Sequence, residues 1–510
     1  MLPNGSRVIG IVALFAEFLI AGCGSGSSPA EPVRQQPAPP PSIPLTRLST
    51  DFFTNSTSQH ATEVEPDTFA FGSTLVSAFQ VGRIFSGGGA DIGFATSIDG
   101  GASWTNGLLP GITTFQGGGT FSGASDASVA YDAAHGMWLI ASLGLGTQDT
   151  ILVSRSTDGI NWGSPITAAA GGAPDKNWIA CDNTAGSPFY GRCYIEWDDS
   201  SVSGRDLIHM NTSSDGGLSW GPSLSTADAA QGLGGQPVVQ PDGNVIVPIL
   251  SLLGPLLSFS SSDGGATWSN TAILASVTDH TEAGGLRSGP LPSAEVDSAG
   301  NIYVVWADCR FRTGCSSNDL VLSTSRDGVT WTAPSRIPID PTTSTVDHFI
   351  PGLAVDSATS GAGAHLTVAY YYYPVSNCGA VCDMDLGFVA SQDGGQSWSA
   401  PKQLAGPMKT NWLPNTFSGR MVADYISTSY VNGRPFAAFV MAKTPSGSVL
   451  DQAIYTTANP LIAAAGRFRS LGEKPVPQAH SDHGPRKFLD LDYERPIPPR
   501  IRARKGAARR

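Results

Sequence analysis

Charge is the scarcest commodity in this chain. Asp, Glu, Lys and Arg make up 14% of 510 residues, against a typical share of about 25%. That excludes coiled coils and long solvated helices, which need Glu, Lys and Arg. Basic residues are the rarer sign, 30 against 42 acidic, for a net charge of −12. A general nucleic-acid binder is thereby disfavoured. Gly and Pro, 60 and 37 residues, stay below the roughly 25–30% that marks low-complexity disorder. The 41% of hydrophobic residues suffices for a large core. Long apolar runs are absent apart from Val8 to Gly22, which is too short to span a membrane as a mature helix.

That run reads as a signal-peptide core, with residues 1–22 as the leader. It ends Leu19-Ile20-Ala21-Gly22-Cys23, which resembles a bacterial lipobox. The resemblance implies lipidation of Cys23, export, and a membrane anchor at the new N-terminus. An ordinary secretory signal with an incidental Cys is the alternative. Residues 23–47 are rich in Gly, Ser and Pro and read as a tether. The other six cysteines fall as Cys181/Cys193, Cys309/Cys315 and Cys378/Cys382. Six Cys allow 15 connectivities. Nearest-neighbour bridges in an oxidising compartment are the simplest choice. Zinc at Cys378-x-x-x-Cys382 is the rival, with no second CxxC or nearby His behind it, so no metal or cofactor is expected.

One pattern recurs six times: Ser97-Ile-Asp99-Gly-Gly101-Ala-Ser103-Trp104, then at Ser156–Trp162, Ser213–Trp220, Ser261–Trp268, Ser325–Trp331 and Ser391–Trp398. The aspartates lie 48 to 66 residues apart, about 59 on average. Such periods mean stacked supersecondary units. Asp and Ser side chains close turns on the backbone. Gly supplies the positive φ that hairpins need, and Trp plugs the space between sheets. The repeat resembles the Asp-box, or BNR, repeat of the sialidase superfamily, over roughly residues 48–462.

Around each box the alternation predicts strand A, turn, strand B, loop, strand C, box, strand D, one four-stranded propeller blade. A seventh A–B–C set follows at Met421–Tyr425, Arg434–Phe439 and Gln452–Tyr455, without a box. Residues 45–54 could supply its missing outer strand. The expectation is an all-β propeller over 48–462 with seven blades, closed by an N-terminal strand. Six blades, the sialidase number, is the alternative. Residues 463–510 follow as a Pro-rich tail, basic from 467 on with 12 Lys+Arg against 5 Asp+Glu, and read as disordered.

Antiparallel order puts the box turns on one rim and sends a different set to the other. D–A connections would bring Glu63, Glu65, Asp67, Asp126, Asp175, Lys176, Asp279, His280, Glu282, Arg287, Asp347, His348, Trp412 and Arg420. B–C loops would bring Arg83, Trp197, Asp198, Asp199, Asp308, Arg310, Arg312 and Tyr370 to Tyr373. Asp279-His280 and Asp347-His348 are candidate acid/base pairs, and Asp308 is a further carboxylate candidate. Arg83, Arg287, Arg310 and Arg420 could converge on a substrate carboxylate. Trp197, Tyr371 and Trp412 would suit stacking on sugars.

The sialidase resemblance implies an arginine triad, for which Arg83, Arg310 and Arg420 are candidates. It also implies a Tyr nucleophile, here Tyr425, and an Asp acid/base, here Asp126. The chain departs from the family at its early Arg-Ile-Pro motif: the first blade reads Asp67-Thr-Phe-Ala-Phe71, and Arg83-Ile84-Phe85 comes after strand B. Three readings follow: an exported glycan-cleaving enzyme, a surface module binding glycan or protein, or a structural lipoprotein. Fold does not decide among them.

Overall fold

The computed structural model describes residues 43–201, 206–463, 468–469 and 473–476. The signal segment, Cys23 and most of the tail lie outside the described residues. The fold is all-β and its sheets are antiparallel. Among the described residues no helix is long and apolar enough to cross a membrane.

Seven groups of strands follow one another. The first is Glu63–Phe71, Thr74–Arg83, Gly89–Ser97 and Thr105–Leu108. The second is Gly123–Asp132, Met137–Leu145, Thr150–Ser156 and Ile166–Ala170. A single pairing, Gly89 with Ala124, joins these two into one sheet. The third is Pro174–Cys181, Cys193–Asp199, Leu207–Ser213 and Leu224–Ser225. In the fourth, two short pieces, Gly232–Leu233 and Val238–Val239, share the edge of Val245–Ser251, followed by Leu256–Ser261 and Ala272–Ala275. The fifth is Ser293–Val296, Ile302–Asp308, Asp319–Ser325 and Ser335–Arg336. The sixth is Asp347–Val355, Leu366–Tyr373, Asp383–Ser391 and Lys402–Lys409. The seventh is Ser427–Val431, Arg434–Ser446 and Val449–Thr457, completed by Leu45–Arg47 from the other end of the chain. The expected tether therefore ends earlier than residue 47, because Leu45 pairs with Thr457 and Arg47 with Tyr455. Each group's leading strand neighbours that of the next, and the seventh returns to the first. Apolar side chains fill the spaces between sheets; the largest cluster joins the sixth and seventh through Phe388, Phe439 and Ile454.

The six boxes share one hydrogen-bond pattern. In the first, Gly101 N donates to Ser97 Oγ at 2.8 Å, and Ser103 N donates to Asp99 Oδ1 at 2.9 Å. In the last, Gly395 N donates to Ser391 Oγ and Ser397 N to Asp393 Oδ1. These bonds favour the ionised carboxylate and hold Asp99 and Asp327 down at about 2. The box aspartates are turn-closing groups. The box tryptophans fold inward, Trp268 and Trp398 almost completely.

All three nearest-neighbour disulfides are formed: Cys181–Cys193, Cys309–Cys315 and Cys378–Cys382. The last rules out zinc on that pair, since a disulfide offers no thiolate. The described part of the tail is attached to the body. Phe468–Arg469 pairs with Ser397–Trp398, Val476 N donates to the Arg310 carbonyl, and Glu473 meets Arg336.

Candidate functional site

Most of the residues expected in connecting loops sit inside strands, whereas Asp279, His280, Glu282, Arg287, Arg310 and Arg312 stay in connections. Glu63, Glu65 and Asp67, Asp126, Asp175 and Lys176, and Asp347 and His348 belong to leading strands; Arg83, Trp197 to Asp199, Asp308 and Tyr370 to Tyr373 belong to second strands. Pairing carries on further than the alternation suggested, because four leading strands accommodate a bulge. The register shifts between Val64 and Asp67, Ser125 and Ser128, Asp175 and Trp178, and Phe349 and Pro351. The residue at each bulge has positive φ: Glu65 (55°), Asp126 (49°), Lys176 (43°) and Ile350 (50°). Non-glycine residues adopt that region at a cost, and bulges re-aim side chains.

Three of these residues surround Tyr425. Lys176 Nζ stands 3.6 Å from the centroid of the Tyr425 ring and 4.7 Å from that of Trp178. The Tyr425 hydroxyl donates to the Ala127 carbonyl at 3.1 Å. Burial, then the charges of Glu65, Asp126, Asp67 and Asp424, push the phenol far up, so it stays protonated. Glu65 is fixed in turn: Gln80 Nε2 donates to its Oε2, and Asp424 N to its Oε1 at 3.3 Å. Arg287 grips the Asp424 carboxylate with Nε, at 3.0 Å, and with a second nitrogen. Arg83 NH1 donates to Gln80 Oε1 at 3.0 Å. The Arg287 N–H donates to the Arg420 carbonyl. One polar chain thus runs from Arg83 through Gln80, Glu65, Asp424 and Arg287 to the Arg420 backbone.

This arrangement alters two expectations. Arg310 stands apart from Arg83 and Arg420, because Asp308 Oδ1 holds its Nε at 2.9 Å. Arg83 is buried and Arg287 is paired, so a three-arginine clamp open to a substrate carboxylate is not assembled. Arg420 is half-buried, with NH1 on the Leu413 carbonyl.

The two Asp-His dipeptides cross over. His280 Nδ1 meets Asp347 Oδ2 at 3.0 Å, while His348 Nδ1 meets the Asn318 carbonyl at 3.0 Å. Asn318 organises the group: its N–H donates to Asp347, and its Nδ2 reaches both Asp279 Oδ1 and Glu282 Oε1. Asp279 is driven well up by burial and the Glu282 charge. Glu282 is raised to about 7 by burial and Asp347. These two carboxyls share an amide donor, and burial with like charge pushes both towards the protonated form. The connection between the fourth and fifth sheets supplies His280 and Glu282 here and Arg287 to the Tyr425 cluster.

The aromatic platforms are corrected. Trp197 is buried, stacked on His209 at 4.6 Å, with Nε1 on Asn211. Tyr371 is in the core, bonded to both backbone groups of Val440. Trp412 packs half-buried against the core of the last two sheets. None of the three is an open stacking surface.

A cavity of about 270 Å³ is bounded by leading strands from all seven groups. It holds Asp67, raised to about 6, and Glu295, raised to about 8, mainly by burial. Sequence reading missed Gln80, Trp178, Glu196 and Asn318. Nothing local distinguishes an Asn or Gln that bridges sheets from one that faces water.

No family model matches this chain, and no curated protein does. Several solved structures resemble it. A protein of unknown function from Dyadobacter fermentans is 16% identical over 69% of this chain and 99% of its own, with a TM-score of 0.43. The NanB sialidase of Streptococcus pneumoniae is 14% identical over 80% of this chain and 70% of its own, TM-score 0.44. An ulvan-cleaving polysaccharide lyase is 10% identical over 80% and 95%, TM-score 0.47. All three scores lie below 0.5 and say nothing of this chain's chemistry.

Proposed function

We propose that the seven groups are blades of one β-propeller and that the chain is an exported, glycan-active enzyme, a sialidase-like glycoside hydrolase with its site at Tyr425. The observation that carries this reading is the convergence of bulge residues Glu65, Asp126 and Lys176 from three leading strands on one tyrosine. In a chain so poor in charge, three strained backbone positions spent on one place are a functional signature. Tyr425 attacks the anomeric carbon while Asp126 gives its proton to the departing oxygen. Glu65 takes the phenol proton, and Lys176 stabilises the phenolate. Water then displaces the tyrosine, giving a proton to Asp126 while Glu65 returns the phenol proton to the departing Tyr425 oxygen. Export is supported by the three disulfides, and anchoring would run through Cys23.

A second reading, a non-catalytic propeller binding glycan or protein, is favoured by burial: Tyr425 is only 4% exposed and Asp126 5%. Hydrolysis of a chromogenic glycoside panel, sialoside included, by the full chain separates the two. Release is expected from at least one substrate. Tyr425→Phe and Asp126→Asn should each lower it by roughly 10²–10⁴-fold while remaining folded. Silence from folded wild-type protein would overturn the hydrolase reading in favour of binding.

A further inference from the structure

A separate cavity of about 290 Å³ opens between the sixth sheet and the connection entering it from the fifth. His348, Tyr370 and Tyr372 form its sheet wall, with Gly387 beneath the Tyr370 ring. Pro401, Lys402 and Gln403 at the mouth are exposed to solvent.

His348 is 1% exposed. Its Nδ1 faces a carbonyl oxygen, which can only accept, so Nδ1 carries the hydrogen and Nε2 keeps its lone pair. Among the described residues Nε2 has no hydrogen-bond partner. Neither does the hydroxyl of Tyr370, also 1% exposed, nor that of Tyr372. None of these three atoms is sealed inside protein; they face the cavity. Here one acceptor and two hydroxyls are left for an occupant.

The floor decides its charge. Asp319, Asp340 and His348 bring ligand-type atoms within 4.8 Å of one another, a spacing that would suit a cation. Two guanidiniums already fill that role: Arg312 bonds Asp319 and Asp340, and so does Arg336. Two positive and two negative charges close on themselves and leave nothing for an ion. Burial also lowers the affinity of His348 for a proton. The wall therefore calls for hydroxyl groups against Nε2 and the phenols, and for an apolar ring face against the half-buried Tyr372 ring.

We propose that this cavity binds one neutral sugar residue of a glycan, as a site distinct from the Tyr425 cluster. It stands on the cavity's own atoms, and binding is its readout, so it survives or fails independently of the hydrolase reading. The test is titration calorimetry of the full chain with the methyl glycosides of glucose, galactose, mannose and rhamnose, and with glucuronic and sialic acid as charged comparators. At least one neutral glycoside should bind. Tyr370→Phe and Tyr372→Phe keep the rings and remove one hydroxyl each, and each should weaken binding about fivefold. Gly387→Ala should weaken it more, since an added Cβ would lie 2.4 Å from Tyr370 Cζ and displace that ring. Absence of neutral-sugar binding, preference for a charged sugar, or binding unmoved by both Phe variants would each overturn the proposal.

Discussion

Replacing Glu196 with Gln should stabilise the protein at pH 8 and do little at pH 5. Glu196 lies in the second strand of the third group, between Trp178 and Met210, and is 0% exposed. Burial raises its carboxyl from 4.5 to about 8, and the Lys176 charge and the Gly235 N–H offset this only in part. In the unfolded chain the group ionises near 4.5. Between the two values the native state holds a proton that the unfolded state has released. Stability is therefore intact below pH 4.5, falls as pH rises towards 8, and is flat above. At about 1.36 kcal/mol per pH unit, the wild type forfeits on the order of 4–5 kcal/mol across that window. Gln has nearly the same shape and no proton to lose. For a body of this size the gain at pH 8 should be on the order of 4–8 °C in Tm. Thermal unfolding of both proteins at pH 5 and pH 8 is the assay. An equal effect at the two pH values, or a loss at pH 8, would refute the reasoning. Glu63 and Glu295, both raised to about 8, should make the wild type itself less stable at pH 8 than at pH 5.

The remaining predictions concern packing. Removing Cys181–Cys193 by a double Ser substitution should cost about 3 kcal/mol in denaturant unfolding, as expected for a loop of this length. The shorter closures at Cys309–Cys315 and Cys378–Cys382 should cost less, and the reverse order would contradict loop closure as the cause. Asp424→Asn removes a charge partner of the buried Arg287 and should cost up to about 3 kcal/mol. Asp383→Asn, on an ion pair with Lys409 about half exposed on each side, should cost under about 1 kcal/mol in the same unfolding assay.

Several of these features were legible in the residues and several were not, and the difference is one of range. The box turns, the strand-turn-strand alternation around them and the disulfide pairs are settled within about a dozen residues. A Ser, an Asp and two glycines close a turn wherever they stand. The run Tyr370 to Tyr373 shows the boundary. Strand alternation sends Tyr370 and Tyr372 to one face and Tyr371 and Tyr373 to the other, so composition alone could call all four a sugar platform. Only the packing of the sixth sheet between its neighbours puts Tyr371 into the core and leaves Tyr370 and Tyr372 on a cavity.

The amino-acid sequence by itself determined the period, the strands and the boxes, because each rests on local hydrogen bonding and on which face of a strand is apolar. The tertiary structure alone decided that Asp347 serves His280 and not His348. It alone decided that Arg310 leaves the other arginines, and that Glu65, Asp126 and Lys176 meet at Tyr425. Those contacts join residues tens to hundreds of positions apart, and their geometry depends on bulges and sheet stacking that no short stretch of chain encodes.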